Sequence, residues 1–286
     1  MYSSTYFCFL HFFFVLIVSS SATAACDRCL HNSKVAYFSG DYAISRGACG
    51  YGSLTTSFSN GMVAAASPSI YKKGAGCGSC FNVGLVFPHF LYLGWISCKN
   101  ATLCSKQGTK VIVTDLNNDK NTDFVLTRSA FVAMANKGKE RDILRQGILD
   151  VQYRRFDGNR IPCEYKNKNL TINVDESSHR PSYLALKFIY QGGQTEIVEV
   201  DVAQVGSLDW SSLNRRGNDA VWATSRVPSG ALQMRMVVTS GFDGKWIYTK
   251  HSVLPANWTP GSMYDSGLQI TEIAQEGCSP CDEEQI

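Results

Sequence analysis

The sequence predicts an all-β chain of two domains, the first a barrel or sandwich and the second a sandwich. Three observations lead there. Between Lys34 and Cys163, short apolar runs are broken repeatedly by Gly, Ser and Asn. From residue 169 to residue 249, apolar and polar residues alternate in runs separated by turn signals. At 286 residues the chain also passes the length, roughly 250 residues, at which one hydrophobic core gives way to two. A formal net charge of +3 gives no reason to expect a nucleic-acid partner.

The chain opens on an apolar run at 7–18, FCFLHFFFVLIV, followed by SSSATAA at 19–25. The run is short for a membrane span, and Ala22-Thr23-Ala24 is a small-x-small cleavage site, so residues 1–25 read as a signal peptide despite the lack of a preceding Lys or Arg. Removing it takes Cys8 away and leaves ten cysteines: Cys26, Cys29, Cys49, Cys77, Cys80, Cys98, Cys104, Cys163, Cys278 and Cys281. An even number in a secreted chain points to a disulfide framework. A tetrathiolate zinc site from Cys26, Cys29, Cys278 and Cys281 is the alternative, disfavoured by the oxidising compartment. Asn100, Asn169 and Asn257 each open an Asn-x-Thr glycosylation acceptor.

In the first domain, residues 26–163, two glycine knots stand out, GACGYG at 47–52 and GAGCGSC at 74–80. Glycine allows positive φ and close backbone approach there, and the cysteines can staple the turns. A phosphate-cradling loop is discounted because no Lys-Ser or Lys-Thr follows. The central stretch is 111–131, VIVTDLNNDKNTDFVLTRSAF. Its β-branched start reads as a buried strand, ending in a polar loop with Asp115, Asp119 and Asp123. A second strand, Phe124 to Leu126, leads to Ser129 as N-cap of a short helix, 130–137, stopped by Gly138. Carboxylates on such a loop suit a sugar or a metal, while an Asx-rich surface turn is the plainer reading.

A polar linker is expected at 164–168, EYKNK, before a second domain at 169–270. Its strands are read at 169–176, 183–190, 196–202, 232–238 and 246–249, with a turn at 241–244. Residues 271–286 form a cysteine-containing extension.

Taken together, GACGYG, GAGCGSCF, the Thr114-Asp115-x-Asn117 signature, DFVLTRSAFVAMANKG and SVLPANW resemble expansins. CDRCLHNSKVAYFS, YQGGQTEIVEVDVAQVGS and EGCSPCDE narrow the resemblance to the expansin-like A proteins of plants. The resemblance covers nearly all of the mature chain, and the joint order of the motifs carries it. It implies a six-stranded double-psi β-barrel similar to family-45 glycoside hydrolases, followed by an immunoglobulin-like β-sandwich carbohydrate-binding module. It further implies disulfides Cys49–Cys77, Cys80–Cys163 and Cys98–Cys104, leaving the other four cysteines with three possible connectivities. Residues 84–97, GLVFPHFLYLGWIS, interrupt the family pattern and read as an unspliced intron translated in frame, or else as a wall-contacting hydrophobic loop. FDGNR at 156–160 reads as a longer hairpin tip.

The resemblance also bears on chemistry. Inverting hydrolysis needs a protonated acid and an ionised base on opposite sides of the glycosidic bond. Aligned on the family's His-Phe-Asp motif, this chain has Asp123 at the histidine and Val125 at the acid, while Asp115 keeps the other carboxylate position. Ala36 and Phe38 stand where the family has groove hydroxyls. The implied protein is therefore non-hydrolytic, binding wall polysaccharide through Asp115, Tyr51, Asp123 and, in the second domain, Tyr183. Tyr51 reads equally as a barrel-core residue. Asn218 stands near the position of a family tryptophan; Trp210 and Trp246 read as surface or core, and Trp222 as core. No cofactor or metal is expected, and the implied protein is a monomer secreted to the cell wall, without membrane attachment. A weak endoglucanase using Asp115 and Asp123, and an allergen-like binding protein without loosening activity, are the alternatives.

Overall fold

The computed structural model describes residues 31–40, 46–84, 100, 102–105, 107–154, 165, 167–191, 196–239 and 244–270. The predicted signal peptide, the body of the 84–97 insert, the 156–160 hairpin tip and the terminal cysteine pairs lie outside the described residues.

Six strands close a barrel: β1 (His31–Tyr37), β2 (Val63–Ala66), β3 (Cys80–Gly84), β4 (Thr109–Leu116), β5 (Phe124–Leu126) and β6 (Leu149–Arg154), in the spatial order β1-β5-β2-β4-β3-β6. The β1–β5 and β2–β4 pairs are parallel, and β6 returns antiparallel to β1 to close the ring. Closure leaves no sheet edge to cover. Inside, Phe81, Phe124 and Tyr153 meet edge to face at 5.0 to 5.8 Å. Phe124 and Leu126 are fully buried while Val125 between them is not, the period-2 signature of a strand with one face in a core.

The second domain is an eight-stranded sheet curled over its own core: β7 (Thr171–Val174), β8 (Leu184–Ile189), β9 (Glu196–Gln204), β10 (Ser211–Arg215), β11 (Trp222–Thr224), β12 (Leu232–Thr239), β13 (Gly244–Tyr248) and β14 (Met263–Asp265). β10 is shared between layers, pairing through Ser211, Ser212 and Leu213 with β9 and through Asn214 and Arg215 with β11. One layer is thus β13-β12-β9-β10 and the other β11-β8-β7-β14. Alternation in β12 sends Leu232, Met234, Met236 and Val238 inward against Ile172, Val174, Leu186 and Phe188 of the opposite layer.

One expectation needs correction. The helix after β5 is Arg128–Ala133 with Thr127 at the cap position, two residues earlier than the Ser129 start and well short of Lys137. Neither hydroxyl caps it; Thr127 and Ser129 both donate to the Gly61 carbonyl, at 2.6 and 3.2 Å, so a tertiary acceptor takes the donors that a local cap would use. In the expected linker, Tyr165 is half-buried. Its ring packs edge-on to Tyr190 at 5.1 Å, and burial pushes its phenol well above the ordinary range.

Candidate functional site

Asp115 is aimed by an irregularity in its strand. β2 and β4 pair in register until a shift between Ala64 and Ala65, where Thr114 becomes an extra residue on β4 and Asp115 comes opposite Ala65. Ala64 and Ala66 belong to the barrel core and Ala65 does not, so the bulge turns Asp115 from the inward to the outward phase. The first glycine knot docks on this bulge. Cys49 N–H donates to the Thr114 carbonyl at 3.2 Å, and Ala48 N–H to Asp115 Oδ1 at 2.7 Å. A Cβ on Gly47 would stand 2.3 Å from the Thr114 carbonyl oxygen, so only glycine allows the approach. The Cys49–Cys77 disulfide ties the two knots together, as implied by the resemblance. Cys80 and Cys104 are also disulfide-bonded; Cys163 and Cys98 lie outside the described residues.

Asp115 Oδ1 also accepts from Leu116 N–H at 2.8 Å, and among the described residues Oδ2 has no partner, which leaves it for an outside donor. Across the barrel face, pairing aligns Ala36 with Val125, Val125 with Ala65, and Ala65 with Asp115. Paired residues share a face, and adjacent strands are about 4.8 Å apart, so Val125 and Asp115 stand about 10 Å from one another across Ala65. That is close to the carboxylate spacing of inverting glycosidases, about 6.5–9.5 Å, but one member of this pair is an isopropyl group. Asp123 precedes β5 with its backbone tied on both sides, donating to the Lys34 carbonyl and accepting from Ser67 N–H. Asp119 is exposed and spends Oδ1 on an Asx turn with Asn121.

Tyr51 is not on this face. It is 4 % exposed, inside the barrel cluster that also takes in Ile189 and Ala220 of the second domain, and burial raises its phenol far above the usual range. A ring so enclosed has no face to offer a sugar, which settles the two readings of Tyr51 in favour of the core.

Three residues that sequence reasoning passed over lead from the barrel to the sandwich. The Tyr71 hydroxyl donates to the Asn218 carbonyl; burial first, then the charges of Asp115 and Asp219, raise its pKa to about 12. Asp219 holds the Arg216 guanidinium at 3.3 Å, and Arg216 donates to the Ser177 hydroxyl at 3.2 Å. Burial works against the Arg216 charge, but Asp219, Asp175 and Tyr183 together keep its pKa raised. Tyr183 itself precedes β8, half-buried, tilted against His179 at 5.4 Å. Tyr71 thus reaches the sandwich through the Asn218 carbonyl, and Arg216 joins Asp219 to Ser177 on the sandwich side. The Arg216 and Asp219 pair, three residues apart in a turn, was the available sequence signal.

The boundary is packed. Ala220 N–H donates to the Cys49 carbonyl at 3.1 Å, Lys72 pairs with the buried Glu196 at 2.9 Å, and a Cβ on Gly74 would meet the Asn218 carbonyl oxygen at 2.6 Å. The barrel and the sandwich are thereby held in fixed relation. Of the predicted acceptors, Asn100 and Asn257 are exposed, and the Asn169 amide donates to Asp265 at 3.2 Å. Trp222 is in the sandwich core beneath Arg215, as read from the sequence.

Asp175 anchors the sandwich end. Burial alone would raise its carboxyl, but the Ser177 hydroxyl and the Lys187 ammonium, 2.6 and 2.9 Å away, outweigh it and hold the pKa at about 2. The folded value lies below the unfolded one, about 4, so the contribution to stability is complete above pH 4 and is lost as pH falls toward 2. Melting temperature followed from pH 5 to pH 2 is expected to fall more steeply for the parent chain than for Asp175→Asn; parallel acid limbs would refute this.

Comparison with known proteins adds the following. Residues 63–153 match the family model DPBB_1, described as lytic transglycolase, and residues 170–255 match the expansin C-terminal domain. Expansin-like A2 and Expansin-like A1 of Arabidopsis thaliana are 54% and 53% identical over 277 residues, spanning 96% of this chain and 97% of each relative. Expansin-like A3 of Oryza sativa subsp. japonica is 42% identical over 263 residues, 90% of this chain and 88% of that one. Among solved structures, an apo expansin of Clavibacter michiganensis has a TM-score of 0.59 at 18% identity, covering 86% of this chain and 100% of that one. An Asp-to-Asn mutant of a Clavibacter michiganensis expansin, solved in complex with cellohexaose, has a TM-score of 0.60 at the same identity and coverage. At that identity these two structures speak to the fold.

Proposed function

Since this chain belongs to the expansin-like A group of the expansin family, we propose that it is a secreted, monomeric cell-wall protein that binds wall polysaccharide without hydrolysing it and loosens non-covalent contacts between chains. The observation that carries this reading is the row Ala36–Val125–Ala65–Asp115, paired across the barrel strands with a carboxylate at one end and none at Val125. Asp115, fixed by two backbone N–H groups, can accept from a sugar hydroxyl, but a single ionised carboxylate cannot also protonate a leaving oxygen. Asp123 is the residue on which an endoglucanase reading depends, and it remains outside the row. Tyr183, before β8 in the sandwich, offers a ring for a pyranose CH face. The secretion leader, the glycosylation of Asn100, Asn169 and Asn257, and the remaining disulfides belong to this proposal on sequence grounds.

Binding to a panel of insoluble wall glycans tests it. Asp115→Ala and Tyr183→Ala are each expected to weaken retention by about fivefold or more, the loss typical of a contact residue that matters. Release of reducing ends from soluble glucans, abolished by Asp115→Asn, would replace this reading with hydrolysis. Creep of heat-inactivated wall strips under load separates loosening from binding alone.

A further inference from the structure

A second aromatic surface lies on the outer face of the β13-β12-β9-β10 layer, the layer to which Tyr183 does not belong. On this face Arg235 of β12 is paired with Tyr248 of β13 and with Asp201 of β9, and Val237 with Trp246. The Arg235 guanidinium is stacked between two indoles, 4.5 Å from the Trp210 ring and 4.6 Å from the Trp246 ring. It is held there by Asp201 at 2.7 Å, a carboxylate whose side chain is only 2% exposed. Tyr248 meets Trp210 edge-on at 6.4 Å and lies beside Trp246 at 6.3 Å and 36°. Trp246 is nonetheless 38 % exposed and Tyr248 52 %.

The chemistry of the surface narrows its occupant. The cation is already balanced by Asp201, so an acidic ligand gains little, and a cationic ligand would meet rings already committed to Arg235. A stable protein partner needs about 800 Å² on each side, far more than two part-exposed rings on an edge strand provide. What fits is a flat, neutral, ring-shaped ligand. The bracing by Arg235 means that the rings are ordered before anything binds, which lowers the cost of stacking. We propose that Trp246 and Tyr248, braced by Arg235 and Trp210, form a second stacking surface for neutral β-glucan chains, so that one molecule engages two chains at once. This rests on the polysaccharide-binding reading above. Two sites on separate layers would add avidity on an insoluble wall that a single soluble chain would not reveal.

The test uses the full mature chain, with cellohexaose as the soluble probe and insoluble cellulose as the multivalent one. Trp246→Ala with Tyr248→Ala is expected to lower affinity for cellulose by about three- to tenfold, the range of aromatic stacking, while Trp246→Phe keeps most of it. In the parent chain and equally in Tyr183→Ala, the indole N–H resonance that Trp246→Phe removes is expected to shift on titration with cellohexaose. Thermal melts of each variant guard against unfolding. If the double variant binds like the parent and the Trp246 resonance does not move, while Tyr183→Ala loses binding, the second surface is refuted and the first reading stands. If the parent chain binds neither probe, both fall.

Discussion

The double variant Cys49→Ala, Cys77→Ala is expected to lose about 3.5 kcal/mol of unfolding free energy and most of its glycan binding. The bridge spans a sequence separation of 28 residues, and closing a loop of that length in the unfolded chain costs about 3.5 kcal/mol on the chain-entropy model. Both cysteines are buried, so removal of the sulfurs also loosens packing around the knots. The functional loss follows from position. Ala48 and Cys49 supply the N–H groups that hold Asp115 Oδ1 and the Thr114 carbonyl, and the Cys49 carbonyl receives the N–H of Ala220 from the other domain. Denaturant unfolding without reductant, with glycan pull-down at 25 °C, reads both effects. An unchanged midpoint would show that the knots are held by packing alone.

Arg235→Ala is expected to cost about 3 kcal/mol or more, a large effect for a residue that is not in a core. Asp201 is buried at the centre of a sheet, and among the described residues its Oδ1 has no hydrogen-bond partner while Oδ2 takes both bonds from the guanidinium. Removing the cation leaves a desolvated carboxylate with nothing to balance it, and two indoles lose the plate between them. Replacing both members, Asp201→Leu with Arg235→Met, is expected to recover much of the loss because the unpaired charge is then gone. Unfolding midpoints of the three variants decide it; a single variant within 1 kcal/mol of the parent would mean that Asp201 is not a buried charge in need of a partner.

The residues differ in how readily they could be read. LQMRMVVT announces β12 because a strand exposes alternate side chains to opposite faces, and the four positions that the alternation selects, Leu232, Met234, Met236 and Val238, are all buried. The helix start was misplaced because Thr127 and Ser129 are both good caps by composition, and what separates them is the Gly61 carbonyl, which comes from another part of the chain. Tyr51 was undecidable in the same way. A tyrosine between two glycines suits a groove or a core, and the second domain, closing over it with Ile189 and Ala220, makes it core.

Family, domain order, strand periodicity and the absence of a carboxylate at position 125 were all carried by the amino-acid order alone, since each depends on residue identity or on neighbours a few positions away. The outward turn of Asp115 at the Thr114 bulge, the bond from Tyr71 to Asn218 and the stacking of Trp210 and Trp246 on Arg235 were decided only by the tertiary structure. Each needs groups tens of residues apart to meet at a few ångströms, and that distance is set by strand register and packing, which no local pattern encodes.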